Sequence, residues 1–178
     1  VFNQILLWSA LVVPWFSLIL MKPALLKRYA PVVLLSALLV TINQEVAYSL
    51  NWWVNQDQIV PWGHITNISL VYGMFAVGTY WIFYFSYGSF WFYLVLNAVI
   101  DGVWLILTPP YMESRGILLL VNMNAWLLFV ISMGISVILY GFQMWQEGIY
   151  KEEVSSRSNN EVLKKWLERL GGKREPAR

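Results

Sequence analysis

Five apolar stretches, each of bilayer-crossing length and almost free of charge, constrain this chain more than any other feature. They run from about residue 2 to 21, 32 to 50, 65 to 85, 90 to 108 and 117 to 145. A bilayer's hydrocarbon core is about 30 Å thick, and roughly 20 helical residues span it. Lipid offers the backbone no hydrogen-bonding partners, so each segment must satisfy itself. The expected fold is all-α: a polytopic membrane helix bundle of about five transmembrane helices over residues 1–150. Charged residues make up only 12% of the chain, against about 25% in a soluble domain, and they avoid the apolar runs.

The first stretch lacks a basic start and a small-residue cleavage site, so a retained helix is expected there. Pro14 lies inside it and predicts a kink, tolerable where neighbours satisfy the carbonyl it frees. The fifth stretch exceeds what a bilayer demands, which predicts tilt or projection beyond the membrane. Small residues four apart, Ser69/Gly73 and Ala98/Gly102, predict close helix approaches.

Lys and Arg set the expected orientation. Lys22, Lys27 and Arg28 follow the first span, and every other cation except Arg115 lies in residues 151–178. With five spans these two regions share a side, and the positive-inside rule makes that side cytoplasmic. The amino terminus is then outside and the carboxyl terminus inside. Residues 151–178 read as a basic cytoplasmic tail with an amphipathic helix near 160–170. Ser158 with Glu161 is a capping pattern, and Gly171-Gly172 is a stop. Val162, Leu163, Trp166, Leu167 and Leu170 oppose Lys164, Lys165, Glu168 and Arg169, a helix suited to anionic lipid or to a partner protein.

Several chemistries drop out. The chain has no cysteine, so no disulfide and no thiolate site. A single histidine, His64, cannot build a bis-histidine metal or haem centre, and its own position suits an interfacial or pH-sensitive residue. No Lys or Arg interrupts a span, which removes a retinal-type Schiff base. There is no phosphate-binding or dinucleotide fingerprint, so no cofactor is expected, and no basic field for nucleic acid. An enzyme acting on lipid or isoprenoid has no nucleophile or metal motif to support it, and a non-enzymatic role is expected.

What remains is polar chemistry inside the spans, where every ionisable group needs a reason. Glu45 in the second span and Asp101 in the fourth have no fixed counter-cation. Both fall within two turns of the outer surface, as do Asn67, Asn122 and Asn124, with Asn43, Gln44 and Asn97 at similar or slightly greater depth. Asn97, Asp101, Trp104 and Thr108 share one stripe of the fourth helix; Thr41, Glu45 and Tyr48 share one on the second, and Asn122 and Trp126 one on the fifth. Two such carboxyls have three options. They are protonated and hydrogen-bonded within the bundle, or they face water, or they hold a mobile cation: a proton, a metal ion or an organic ammonium. The candidate ligand site places Glu45 and Asp101 as charge, Asn97 and Asn67 as hydrogen-bonding groups, and Trp104 as an aromatic wall. Elsewhere, Trp52, Trp53 and Trp62 predict an interfacial lid or aromatic belt. Pro109-Pro110 predicts the end of the fourth helix, and Glu113 with Arg115 a solvated ion pair.

WSALVVPWFSL near the start, NWWV at 51–54, PWGHITNISLVYG at 61–73 and FWFYLVLNAVID at 90–101 resemble an uncharacterised family of small multi-span integral membrane proteins from spore-forming firmicutes. No activity is established for that family, so the resemblance implies only a bacterial plasma membrane and assigns no residue a role. Small vitamin-binding transporter subunits are also Trp-rich, but the first span lacks their small-residue docking motif. Two functional readings follow. One is binding, with or without transport, of a cation or small polar ligand in the outer half of the membrane. The other is an accessory or assembly subunit acting through intramembrane and tail-helix contacts. The expected partners are membrane lipids, a small cation or amine, and a second copy or another membrane protein.

Overall fold

The computed structural model describes the backbone of residues 1–171 and the side chains through Ile149, together with those of Glu161 and Leu163. Five α-helices carry the chain: α1 (Phe2–Ser17, continued by a 3-10 turn at Leu18–Leu20), α2 (Pro23–Ser49), α3 (Ala76–Ser86), α4 (Phe90–Ser114) and α5 (Ala125–Gly171). Two short strands, β1 (Trp53–Asn55) and β2 (Leu118–Leu120), add a small antiparallel pair. Four helices are long and apolar enough to cross a membrane: Phe2–Leu20, Pro23–Ser49, Phe90–Ser114 and Ala125–Ile149. The chain is a multi-span membrane protein.

The expected third span is built differently from the others. Its first residues stay outside the helix, and a π-helix, Ser69–Phe75, leads into α3. Asn67 prepares this start, its side-chain oxygen accepting the Leu70 N–H at 3.3 Å. In a π-helix each N–H reaches five residues back, which widens the backbone and redirects the side chains.

Helix ends also differ from expectation, each for a local reason. Helix α2 begins at Pro23 because a proline at the first helical position loses no hydrogen bond. Lys27 and Arg28 therefore lie on its first turns and not in a loop. Helix α4 continues through Pro109-Pro110 to Ser114. Proline keeps a helical φ, and each one removes a single ladder bond near the helix end. The real stop is Gly116, at φ +66°. Gly116 N–H returns to the Glu113 carbonyl at 2.9 Å and Ile117 N–H to Met112 at 3.0 Å, while Ile117 packs on Met112 and Leu7.

Helix α2 closes in the same way. Asn51 takes φ +52°, its N–H bonds the Tyr48 carbonyl at 3.1 Å, and Trp52 N–H bonds Ala47 at 2.9 Å. These two closures feed β1 and β2, whose register sets Trp53 opposite Leu120 and Asn55 opposite Leu118. Because β2 occupies 118–120, α5 starts only at Ala125, with Asn124 capping it by accepting the Leu127 N–H at 3.1 Å. Asn122 thus precedes the helix and shares no helical face with Trp126.

The start of α1 is tied to the same end of the bundle. Asn3 Nδ2 donates to the Arg115 carbonyl at 2.9 Å, and Gln4 Nε2 donates to Asp57 Oδ1 at 2.8 Å and to the Gln58 carbonyl at 3.0 Å. The expected Glu113–Arg115 pair does not form. Glu113 accepts the Leu120 N–H at 3.4 Å, while the Arg115 guanidinium lies 4.7 Å from the Phe2 ring centre and 5.6 Å from that of Tyr111. Trp52 and Trp53 turn inward, each 7% exposed, and only Trp62 of the three expected surface tryptophans remains exposed.

Within the bundle, polar pins join neighbouring helices. Ser36 on α2 and Thr79 on α3 share a buried hydrogen bond at 2.9 Å. Between α4 and α5, Tyr93 OH donates to the Ser136 carbonyl at 3.0 Å and Ser136 Oγ donates to Asn97 Oδ1 at 3.1 Å. Around these lie the rings of Phe83, Tyr93 and Tyr140, with centres 5.1 and 4.9 Å apart in turn. Helix α1 packs on the π-helix, where a Cβ at Gly73 would collide with the Ala10 carbonyl and lie 2.6 Å from Leu11 Cα. Of the two small-residue pairs, Ser69/Gly73 makes its close approach. A Cβ at Gly102 would meet nothing within 4 Å, so Ala98/Gly102 does not.

The chain divides into two compact units, Val1–Tyr140 and Gly141–Arg178. The first holds the bundle just described. In the second, α5 runs on to Gly171 without a break at Ser158, and Gln143 Nε2 donates to Glu147 Oε1 one turn along at 3.1 Å. The two faces expected for the tail helix rest on side chains that, Leu163 apart, lie outside the described residues.

Candidate functional site

A cavity of about 100 Å³ opens inside the first unit, between α2, α4, the first turns of α5 and the π-helix. The strand pair covers it from one end through Trp53, Asn55 and Leu118. Its volume is well below the roughly 300–1,000 Å³ of sites that enclose drug-sized ligands, so any occupant is small.

Helix α4 supplies the chemistry. Asp101, Trp104 and Thr108 recur at helical spacing, so all three border the cavity. Leu105 and Pro109 border it as well. Pro109 has no N–H to return to the Leu105 carbonyl, which leaves a main-chain acceptor beside the cavity without its helical donor. The Trp104 ring packs against Phe75 of the π-helix, centres 4.9 Å apart and tilted by 57°. Helix α2 contributes Asn43 and Gln44, and α5 contributes Ser132.

Among the described residues Asp101 is the only carboxylate on these walls, and no Lys, Arg or His accompanies it. Among the described residues none hydrogen-bonds its carboxyl or forms an ion pair with it. Several other polar groups are already engaged. Gln44 Oε1 accepts the Trp53 indole N–H at 3.2 Å, Asn67 Oδ1 serves Leu70, and Asn55 Nδ2 holds the His64 and Ile65 carbonyls at 3.2 and 3.0 Å. The Asn43 amide, the Asn67 NH2 and the Thr108 and Ser132 hydroxyls make no side-chain hydrogen bond to a described residue, and so are available to an occupant.

The five residues singled out by sequence separate here. Asp101, Asn67 and Trp104 meet at the cavity. Glu45 does not: it lies on the exposed face of α2, because consecutive helical residues are about 100° apart and Gln44 takes the inward position. The expected pairing of two carboxylates is thereby corrected to one. Asn97 is 6% exposed but serves the α4–α5 contact, its Nδ2 donating to the Tyr93 carbonyl at 2.8 Å and its Oδ1 accepting from Ser136. No group of three or more His, Cys, Asp or Glu side chains gathers anywhere among the described residues.

Sequence reading missed Trp53, Phe75 and Ser132 as lining residues. Trp53 and Phe75 depend on β1 and on the π-helix, which leave no mark in apolar periodicity. Ser132 is one of two serines, with Ser136, in an apolar span, and its type alone was the available signal. No family model, no curated protein and no solved structure matches this chain.

Proposed function

We propose that this protein crosses a plasma membrane five times and holds a small cation against Asp101 in the outer half of the bilayer. The observation that carries the reading is the carboxyl of Asp101, which borders a cavity and has no positive or hydrogen-bonding partner among the described residues. Desolvating a lone carboxylate is expensive, and a mobile cation supplies the missing charge. The alternative, in which Asp101 is held by hydrogen bonds within the bundle, finds no such bond to its carboxyl among the described residues, although donors border the same cavity.

The fifth crossing in this reading is the helical run made by the π-helix and α3. The outer side is the end that carries β1, β2 and Arg115, and the cytoplasmic side is the end that carries Lys22, Lys27 and Arg28. The resemblance to bacterial multi-span proteins agrees with a bacterial plasma membrane. Met112, Met123 and Leu118 of β2 line the cavity at its strand-pair end, the outer end in this reading.

The test compares two carboxylates. Purified protein is scanned for thermal stability in salts of different cations at constant ionic strength. Asp101→Asn removes any cation-specific stabilisation, while Glu45→Gln leaves it intact. Equal responses in wild type and Asp101→Asn end the reading.

A further inference from the structure

We infer that the cation is a small organic ammonium, methylated or primary, and not an inorganic ion. The inference rests on the cation-binding reading and narrows it to one ligand class. Four observations carry it, each from the cavity itself.

First, the charge is single. One carboxylate and no second acidic, histidine or cysteine ligand among the described residues suits a monovalent occupant, and a divalent metal would keep half of its charge uncompensated. Second, the oxygens share the cavity with an apolar lining. An inorganic cation stripped of water needs six or so oxygen ligands around it, as hard cations show. Here the oxygens left without a hydrogen bond, those of Asp101, Asn43, Asn55, Thr108, Ser132 and the Leu105 carbonyl, share the walls with leucine, methionine and isoleucine side chains, so an ion stripped of water would rest against hydrocarbon on part of its surface.

Third, the walls that are not oxygen are the kind an alkylated ammonium wants. Trp104 stands three residues after Asp101 and borders the same cavity, with the Phe75 ring against it. Ring faces attract alkylammonium charge spread over C–H groups, and tryptophan does so best. Apolar side chains then cover the alkyl groups at no desolvation cost, where the same contacts around sodium would be a loss. Fourth, about 100 Å³ admits a head of a few heavy atoms and excludes a bulky amine. In the bound state the N–H groups of a primary ammonium donate to Asp101 and the free hydroxyls. A quaternary head places its methyl groups against Trp104 and Phe75, with Asp101 balancing the charge.

The experiment uses the full chain in detergent with four chloride salts at equal ionic strength: tetramethylammonium, methylammonium, sodium and potassium. Thermal stability is read for wild type, Asp101→Asn, Trp104→Phe and Trp104→Leu. The expected result is stabilisation by the two ammonium salts over sodium and potassium, lost in Asp101→Asn. Trp104→Leu should weaken apparent tetramethylammonium affinity roughly tenfold or more, the scale of a desolvated cation–π contact, while Trp104→Phe retains most of it. Should Asp101→Asn fail to fold, the contrast between Trp104→Phe and Trp104→Leu carries the test alone. Stabilisation by sodium or potassium that depends on Asp101 and ignores the Trp104 ring overturns the ammonium assignment and leaves the cation reading standing. No dependence on Asp101 in any salt overturns both.

Discussion

Gly73 faces the main-chain carbonyl of Ala10 so closely that a methyl group in place of its hydrogen would overlap the oxygen. Two separate sequence features produce this approach. Pro14 has no N–H for Ala10, four residues earlier, so that carbonyl lacks its helical donor. Gly73 has no side chain, so α1 settles directly onto the π-helix, where a Cα hydrogen can face the carbonyl. Trp15 fastens the same seam by donating its indole N–H to the Tyr72 carbonyl at 3.0 Å.

Gly73→Ala is therefore expected to be more damaging than an ordinary helix substitution. Overpacking a tight contact costs about 1–3 kcal/mol, and here the obstacle is backbone that cannot rotate away. Thermal unfolding in detergent should show a clear loss for Gly73→Ala and little change for Gly102→Ala, where a Cβ meets nothing within 4 Å. Equal effects at the two glycines would refute the account of the α1 contact.

The two left-handed closures give an opposed pair of outcomes. Gly116→Ala should destabilise by about 1–2 kcal/mol, the cost of an L side chain in the left-handed region. Asn51→Gly should be neutral or better, since asparagine tolerates that region only moderately while glycine enters it freely. Urea or thermal denaturation of both variants checks the sign at each site.

Helix-pinning hydrogen bonds should be individually small. Membrane hydrogen bonds between helices average about 0.6 kcal/mol in double-mutant cycles, so the Ser36–Thr79 coupling should fall near that value. Asn97→Leu should cost more, because it removes the acceptor of the buried Ser136 hydroxyl and disturbs Tyr93 at once. A cycle at Ser36/Thr79 beside single variants at Asn97 and Ser136 measures the difference.

The absence of cysteine makes orientation directly measurable. A single cysteine at exposed Gln56 should react with an impermeant maleimide on intact cells. One at exposed Lys27 should react only after permeabilisation. The reverse pattern inverts the bundle and moves the cavity to the cytoplasmic half.

Much of this architecture could be read from residue types, and the failures have a common cause. The all-helical, multi-span architecture and the α4 stripe of Asp101, Trp104 and Thr108 were visible because apolar length and helical spacing dictate them, and four of the five expected spans are long apolar helices. The choice between Gln44 and Glu45 as the inward residue of α2 was not. In water an apolar stripe marks the buried face, but lipid is as apolar as a protein interior, so both faces of α2 look alike. The extent of α4 was misread for a different reason: prolines near a helix end remove few bonds, and the decisive signal was Gly116 with Ile117 after it. Strand pairing was invisible because three residues from each of two distant loops carry no periodicity of their own.

The antiparallel pair has a consequence for biosynthesis. Residues 53–55 leave the ribosome long before residues 118–120, and both must reach the same face of the bilayer before they can meet. Until the fourth helix has been threaded, the polypeptide after α2 has no partner for its exposed amides. The clasp closes late, and a chain truncated before Leu118 would be left with that segment unzipped.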